Sequence, residues 1–136
     1  MQKWREFAGL LSHSLSTETL LKQFLIQLRE LTGVNRAAIH TRGKVTVYRQ
    51  TLASWYGPGF IGGRTACGGT LGAGTLGVAN RTLPCGSRVT FHYHGHTVTA
   101  RVVDRGPYVA GREWDLTPAV KARLHFPSTG TVWSTK

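Results

Sequence analysis

Three carboxylates, the only acidic side chains after residue 31, lie together in the stretch 100–116. They are Asp104, Glu113 and Asp115, and arginines, glycines and a proline surround them. Two carboxyl groups held near each other can divide the acid and base roles of a bond cleavage, because one donates a proton and the other accepts one. The stretch is therefore the first candidate for a chemical site.

The elements around these carboxylates can be predicted from the local pattern. Residues 101–104 alternate as a strand that ends at Asp104, where Arg-Gly-Pro-Tyr must turn the chain. Asp115 precedes a short helix that Thr117 caps and that starts with proline. Arg105 should favour the ionised form of Asp104 unless its guanidinium points away. A purely structural interpretation also remains, in which Asp104 pairs with a neighbouring arginine and Asp115 only helps to start the helix.

Composition and charge limit the classes of function. The chain has 136 residues and a formal net charge of +11. Ten of its 17 glycines lie between Gly57 and Gly86, which is typical of a turn-rich β architecture. The charge favours nucleic acid, an anionic membrane surface or an acidic cell-wall polymer as a partner. No motif supports specific nucleic-acid binding, no apolar run of about 18 residues predicts a membrane span, and residues 1–31 lack the pattern of a secretory signal.

The first part of the chain differs in character from the rest. From Ser16 onward, leucines and a phenylalanine recur at helical spacing, which predicts an amphipathic helix whose apolar face needs a cover. Residues 7–41, FAGLLSHSLSTETLLKQFLIQLRELTGVNRAAIHT, resemble the opening helix and first strand of GAF-type sensor domains. The sequence thus predicts a helical extension over residues 1–45 and a separate domain over residues 46–136.

The second region carries strand and turn signals. Aromatic residues give way to glycine turns in ASWYGPGFIGGRTACGG, residues 53–69. Trp55, Tyr56 and Phe60 lie beside these turns and suit stacking against the apolar faces of sugar rings, although such side chains also fill protein cores. Residues 88–102 alternate apolar and polar side chains on both sides of Gly95, which predicts a hairpin with one apolar face.

Three histidines, His92, His94 and His96, surround the turn of that hairpin. Alternate residues on one strand face can share a zinc or copper ion. No acid or cysteine lies near them in sequence, however, and His96 lies beyond the turn. We therefore interpret them as an exposed polar tip and predict neither a metal nor another cofactor.

The two cysteines, Cys67 and Cys85, are each followed by glycine and form no CxxC pattern. Metal binding is thus disfavoured, and a disulfide or two buried thiols remain. The disulfide is the preferred interpretation, because closing a loop of this length stabilises a fold by roughly 3 kcal/mol. Such a bond would imply an oxidising compartment.

Four motifs in the second region occur in an order that resembles a known family. They are ASWYGPGFIGGRTACGG, LGVANRTLPCGSRV, VVDRGPYVAGREWDLT and the closing STGTVW. Together they span nearly all of residues 52–134 and resemble the rare lipoprotein A (RlpA) family of double-psi β-barrels, with a more distant similarity to expansins and family-45 endoglucanases. The resemblance implies a mainly β fold, namely a six-stranded double-psi β-barrel behind the N-terminal amphipathic helical extension. It also implies action on bacterial peptidoglycan, since characterised members of the family are lytic transglycosylases that cut glycan strands lacking stem peptides.

The resemblance also assigns roles to individual residues. The aspartate of the DRGP motif falls on Asp104, and the acid of the expansin and endoglucanase relatives falls on Asp115, so both are candidate catalytic residues. The family's glutamate after TA-x-G aligns with Gly69, and its histidine before T-L-P aligns with Asn80. Two groups expected around the cleaved bond are therefore absent. The expected substrate-binding residues are Trp55, Tyr56, Asn80, Arg105, Tyr108 and Trp114.

Two functions remain open from the sequence. The first is a lytic transglycosylase, whose substrate hydroxyl attacks intramolecularly, so that one carboxyl group can first donate and then accept a proton. A carboxylate-poor site suits this mechanism better than hydrolysis by two carboxylates. The second is a non-catalytic, expansin-like module that binds cell-wall glycan. Both predict peptidoglycan or another acidic wall glycan as the partner and a location in the cell envelope or outside the cell.

Overall fold

A computed structural model describes residues 22–24, 26, 36–41 and 43–136. The chain divides into two compact units, residues 1–48 and residues 49–136. In the first unit the described residues 22–24 and 26 are helical, and the rest of the predicted leucine-rich helix lies outside the described residues. The division of the chain into domains at residue 45 stays a prediction.

The described residues form mainly β structure. The strands are β1 (Arg36–Thr41), β2 (Lys44–Trp55), β3 (Gly77–Ala79), β4 (Arg88–Tyr93), β5 (His96–Asp104), β6 (Arg112–Leu116) and β7 (Thr129–Ser134). Two short helices accompany them, a 3₁₀ helix η1 (Pro58–Phe60) and an α-helix α1 (Pro118–Leu124). The predicted strand that ends at Asp104 is confirmed, and Asp115 lies in the strand just before α1.

Six of the strands close into the predicted double-psi β-barrel. They follow the order β2-β6-β3-β5-β4-β7, and β7 pairs again with β2. Two of the pairings are parallel, β2 with β6 and β3 with β5, and the others in the ring are antiparallel. Closure leaves no unpaired edge in this ring, so the backbone groups of its strands are satisfied within the sheet.

Alternate side chains of the strands fill the interior of the barrel. Trp114 and Phe91 are fully buried, and their rings meet edge to face with centroids 5.1 Å apart. Val120 and Leu124 from α1 belong to the same buried cluster. Burial of such large apolar groups is the main stabilising contribution, since truncating one buried aromatic side chain to alanine costs about 3–5 kcal/mol.

The β4–β5 hairpin is the predicted one, with its apolar face inward. Val89 and Phe91 pair with Ala100 and Val98 across the two strands, and all four side chains are buried. The turn places His94 and Gly95 at positive φ, 41° and 85°, as expected for a tight hairpin turn.

The interpretation of all three histidines as an exposed tip is wrong for His92. Its side chain is buried, and its Nδ1 lies 2.6 Å from the hydroxyl of Thr97 on the paired strand. His94 and His96 are exposed, as predicted. His92 lies on β4 rather than in the turn, and it pairs with Thr97 of β5 and Trp133 of β7.

Helix α1 starts as the sequence predicts, with Thr117 as N-cap and Pro118 in its first turn. The Thr117 hydroxyl does not cap the helix. It donates instead to the carbonyl oxygen of Thr75 at 2.6 Å, which ties the start of α1 to the segment that leads into β3. Among the described residues, no helix has the length and apolar character needed to cross a membrane.

Candidate active site

Strand β3 brings the two candidate aspartates together. Its residue Ala79 pairs with Asp104 of β5 on one side and with Asp115 of β6 on the other. With neighbouring strands about 4.8 Å apart, the two Cα atoms lie about 10 Å from each other. On the far side of β6, Ser54 of β2 pairs with Asp115. Residues far apart in sequence thus form one row across four strands.

Glycine at position 77 allows this close arrangement. A Cβ atom built at Gly77 would lie 2.6 Å from the Val103 side chain on β5. Any larger residue would push β3 away from β5 and shift Ala79 out of its place between the two aspartates.

Asp104 is held by hydrogen bonds from three parts of the chain. Its Oδ2 accepts from the Tyr56 hydroxyl at 2.7 Å. Its Oδ1 accepts from the backbone N–H groups of Ala66 at 2.7 Å and Arg105 at 2.9 Å. Both carboxylate oxygens are thus occupied, and these donors fix the orientation of the carboxyl group.

Asp115 has fewer partners. Its Oδ1 accepts a short hydrogen bond from the hydroxyl of Ser54, which is buried. No donor among the described residues reaches its Oδ2. The residue is half-buried.

The third carboxylate of the stretch is engaged elsewhere. The Arg49 guanidinium donates from both terminal nitrogens to the two oxygens of Glu113, one of these bonds being 3.0 Å long. This fork geometry is the usual form of a structural arginine–carboxylate pair. Glu113 therefore leaves Asp104 and Asp115 as the carboxylates of the site.

The Arg105 guanidinium points away from Asp104, although the two residues are adjacent. Its Nη1 donates to the carbonyl oxygens of Asn80 at 3.1 Å and Leu83 at 2.9 Å, and its Nη2 lies 3.2 Å from Cys85 Sγ. The side chain thus ties the 80–85 loop to the end of β5. Its predicted contact with substrate stays a prediction, but these bonds use much of its donor capacity.

Asn80 is buried, and its side chain organises the same loop. Its Oδ1 accepts from the backbone N–H groups of Thr82 at 3.0 Å and Leu83 at 2.9 Å, and its Nδ2 donates to the Glu113 carbonyl at 3.3 Å. Such a local turn is a common use of asparagine. The expected substrate contact at Asn80 stays a prediction, and in this structure the polar groups of its side chain bond to the protein itself.

The two tryptophans of the predicted site both contact other parts of the protein. Trp114 lies in the core on the opposite face of β6 from Asp115, and its indole N–H donates to the Thr51 hydroxyl at 3.0 Å. Trp55 packs against the core cluster, and Lys121 Nζ lies over its ring, 4.8 Å from the centroid. The substrate contact expected at Trp114 stays a prediction, and its side chain is fully buried in this structure.

The exposed aromatic rings near Asp104 belong to Tyr108 and Phe60, which are 79% and 59% exposed. The Phe60 ring meets the Tyr56 ring edge to face at 5.7 Å, and Tyr56 in turn holds Asp104. Tyr108 follows the turn after β5, which contains a cis peptide bond at Gly106–Pro107. The sequence names Tyr108 as an expected substrate-binding residue and Phe60 as one of the aromatic residues suited to stacking on sugars, and both lie in the motifs that carry the family resemblance.

Burial raises the pKa of Tyr56 well above that of a free tyrosine, and its hydrogen bond to Asp104 and the negative charges of Asp104 and Asp115 raise it further. The phenol therefore stays protonated and remains a hydrogen-bond donor. This donor is directed at Asp104 Oδ2.

Cys67 and Cys85 form the predicted disulfide, with Cα atoms 5.7 Å apart. The bond links the 65–71 loop to the 80–86 loop. No group of three or more histidine, cysteine, aspartate or glutamate side chains within the described part of the chain is arranged to hold a metal ion.

Comparison with known proteins identifies the fold and the family of the chain. The closed six-stranded sheet is a double-psi β-barrel, and a solved structure of Streptomyces papain inhibitor (SPI) shares the fold, with a TM-score of 0.50 and 22% identity over 65% of this chain and 94% of that one. The family model described as lytic transglycolase matches residues 48–133. The chain belongs to this family.

Two relatives show how much of a longer protein this chain represents. A Synechocystis protein described as a probable endolytic peptidoglycan transglycosylase RlpA is 44% identical over 81 residues, which cover 58% of this chain and 25% of that protein. The probable endolytic peptidoglycan transglycosylase RlpA of Aquifex aeolicus is 35% identical over 113 residues, which cover 82% of this chain and 46% of that protein. The chain thus spans about a quarter to about a half of the length of these relatives.

Proposed function

We propose that the barrel cleaves the glycan strands of peptidoglycan by lytic transglycosylation, with a single aspartate as acid and base. The observation that carries this proposal is the placement of Asp104 and Asp115 on either side of Ala79, with the Tyr56 hydroxyl donating to Asp104. The relatives named as endolytic peptidoglycan transglycosylases support the substrate class. Because the matched region is only part of those proteins, activity of this chain is a proposal.

Asp115 is the better candidate for proton transfer. Its free Oδ2 can meet the glycosidic oxygen, whereas Asp104 would have to give up a hydrogen bond from the protein. In the first step the Asp115 carboxyl group donates its proton to the glycosidic oxygen while the bond from that oxygen to C1 breaks. The 6-hydroxyl of the same muramic acid then attacks C1, and the Asp115 carboxylate takes up the hydroxyl proton, so that the product carries a 1,6-anhydro ring.

Asp104 serves as a fixed negative charge in this mechanism. Positive charge develops on the sugar ring in the transition state, and a carboxylate that is already oriented by three donors stabilises that charge without reorganisation. Tyr56 keeps the carboxylate in place through its own hydrogen bond at 2.7 Å. Tyr56 is therefore a positioning residue for Asp104.

Tyr108 and Phe60 are the aromatic surfaces proposed to contact the sugar rings. Aromatic faces pack well against the apolar faces of sugars, and these two rings are the exposed ones beside the Asp104 network. Trp55 is less suited because Lys121 covers its ring.

The positive charge of the barrel matches an acidic wall polymer. Residues 49–136 contain ten lysines and arginines against three carboxylates, one of which is paired with Arg49. We expect retention on insoluble peptidoglycan to weaken steeply with added salt, because exposed charges are screened beyond about 8 Å at physiological ionic strength. Retention that does not change with salt would identify aromatic stacking as the dominant contribution. The substrate and the disulfide together favour action in the cell envelope or outside the cell.

A non-catalytic module that binds wall glycan is the second candidate. It is favoured by Gly69 and Asn80, which stand where the family resemblance places a glutamate and a histidine. Gly69 has a φ of 114°, which a glutamate would adopt only with strain, and the Asn80 side chain serves the loop. The site therefore lacks two titratable groups at these positions.

Mass spectrometry of digests from peptide-free glycan separates the two candidates. Lytic transglycosylation gives fragments with 1,6-anhydromuramic ends, whereas hydrolysis gives reducing ends. If neither kind of fragment is released after long incubation at high protein concentration, and the protein still binds the wall, the binding module remains as the function.

A further inference from the structure

We infer that the Cys67–Cys85 disulfide positions Asp104, so that the candidate site is complete only in the oxidised protein. The part of this inference that concerns activity rests on the proposed function. Its structural part concerns the hydrogen bonds of Asp104 and can be tested without catalysis.

One half of the disulfide lies next to a ligand of the carboxylate. Ala66, whose N–H donates to Asp104 Oδ1 at 2.7 Å, directly precedes Cys67. The loop that carries both residues is exposed over most of its length and contains two glycines at positive φ, Gly68 and Gly69. Besides the Ala66 bond, a backbone bond of 3.3 Å from Cys67 N–H to the Val103 oxygen ties this loop to β5. A covalent link at Cys67 therefore restrains the position of the Ala66 amide.

The other cysteine, Cys85, is connected to the Asp104 region through the 80–86 loop. Cys85 Sγ lies 3.2 Å from Nη2 of Arg105, the residue after Asp104. Gly86, which follows Cys85, donates its N–H to the backbone carbonyl oxygen of Val102 at 2.7 Å. The N–H of Asn80 donates to the backbone carbonyl oxygen of Asp104 at 3.2 Å. The 80–86 loop is thus anchored on β5, and the disulfide extends that anchorage to the Ala66 loop.

A reductant can reach this bond. Cys85 is exposed and Cys67 is half-buried. A dithiol would open it in two exchange steps: one thiolate attacks a sulfur and releases one cysteine thiolate, and the second thiolate of the reagent displaces the other. The reagent becomes a cyclic disulfide, and the two cysteine thiolates take up protons. The barrel strands contain neither cysteine, so we expect them to remain paired.

The test compares the full chain with the double variant Cys67→Ser/Cys85→Ser, each with and without dithiothreitol. In nitrogen-15-labelled protein, the Ala66 amide proton should shift on acidification of the oxidised protein, because its acceptor Asp104 becomes protonated. This response should fall to less than about half in the reduced protein and in the double variant, since the amide no longer stays on the carboxylate. Reoxidation should restore it in the full chain, and dithiothreitol should have no effect on the double variant.

Activity on peptide-free glycan gives the second readout. We expect kcat to fall about tenfold in the double variant with little change in KM, because misplacement of a site group by about 1 Å can cost up to a hundredfold in rate. Thermal unfolding followed by circular dichroism must remain cooperative, which separates a positioning effect from loss of the fold. An equal response of the Ala66 amide in the oxidised and reduced proteins, or an unchanged kcat in the folded double variant, would overturn the inference. If the unmodified chain releases no anhydro product, the proposed function fails while the amide measurement still decides the inference.

Discussion

The two aspartates sit at equivalent positions on either side of β3, yet their surroundings differ. Asp104 receives donors from Tyr56, Ala66 and Arg105, and a disulfide joins two of the loops around it. Asp115 lies on β6, whose neighbours in the sheet are β2 and β3, and accepts a hydrogen bond from Ser54. One carboxylate is held by loops and the other by the register of the sheet.

This difference indicates how the barrel can give two identical side chains two roles. A carboxylate whose two oxygens both accept hydrogen bonds from the protein is suited to act as a fixed charge. A carboxyl group with a free oxygen is suited to exchange protons with a substrate. The following predictions test this division, from the largest expected effect to the smallest.

Replacement of Asp115 by asparagine should have the largest effect on activity. Asparagine keeps the shape of the side chain but cannot transfer a proton, so anhydro product formation should fall by roughly a hundredfold or more. Release of anhydro-ended fragments, measured by mass spectrometry, checks this. Glu113→Gln is the matched control, because it removes a carboxylate two residues away that is paired with Arg49, and its activity should stay within about twofold. Equal losses in both variants would contradict a specific role for Asp115.

Replacement of Asp104 by asparagine should reduce activity less and stability more. The amide group presents N–H donors to a place where the protein already supplies donors, so the free energy of unfolding should fall by about 1–3 kcal/mol. We expect activity to fall about tenfold, as for the loss of an electrostatic contribution that does not transfer the proton. Urea unfolding and product release measure the two effects. If Asp104→Asn abolishes release while Asp115→Asn retains it, the two roles are reversed.

Tyr56→Phe should have a smaller effect of the same kind. It removes the hydroxyl that donates to Asp104 but keeps the ring that meets Phe60. A loss of about 1 kcal/mol in the free energy of unfolding is expected for one such hydrogen bond, with a decrease in kcat rather than an increase in KM. Tyr93→Phe serves as the control, because the Tyr93 ring lies at the end of β4 and packs against His94 and Phe126. A Tyr56→Phe variant that matches this control in kcat would argue against the positioning role.

The pH dependence of stability gives the smallest effect. In the unfolded chain Tyr56 ionises near its ordinary pKa of 10.0, whereas in the folded protein its pKa is raised. The folded state thus binds more protons above this pH, so the stability that Tyr56 contributes is fully present below about pH 10 and declines as the pH rises further. Urea unfolding at about pH 8 and about pH 11 should show a smaller decrease for Tyr56→Phe than for the unchanged chain. Equal decreases would show that Tyr56 ionises as readily in the fold as out of it.

Several features of this protein could be predicted from local sequence alone. Alternation of side chains predicts the β4–β5 hairpin and the strand that ends at Asp104, because the two-residue period of a strand is a property of adjacent residues. The Thr117–Pro118 pair predicts the start of α1 for the same reason. The isolated cysteine pair favours a disulfide, and the order of four motifs predicts the barrel.

Other features depended on the tertiary structure. The alternation also places Trp114 and Asp115 on opposite faces of β6, but only the closed barrel shows which face is the core. The direction of the Arg105 guanidinium depends on carbonyl oxygens some 20 residues away in the 80–85 loop, and the cover on Trp55 comes from Lys121 of α1.

The arrangement of the candidate site also depends on the tertiary structure. Asp104 and Asp115 are separated along the chain by a turn, and nothing in their spacing indicates that a third strand lies between them. Ala79 pairs with both because β3 enters the sheet between β5 and β6. Sequence determines the side chains that each strand offers to each face, and the order of strands in the closed barrel determines which of those side chains meet, because strand pairing joins residues that are distant along the chain.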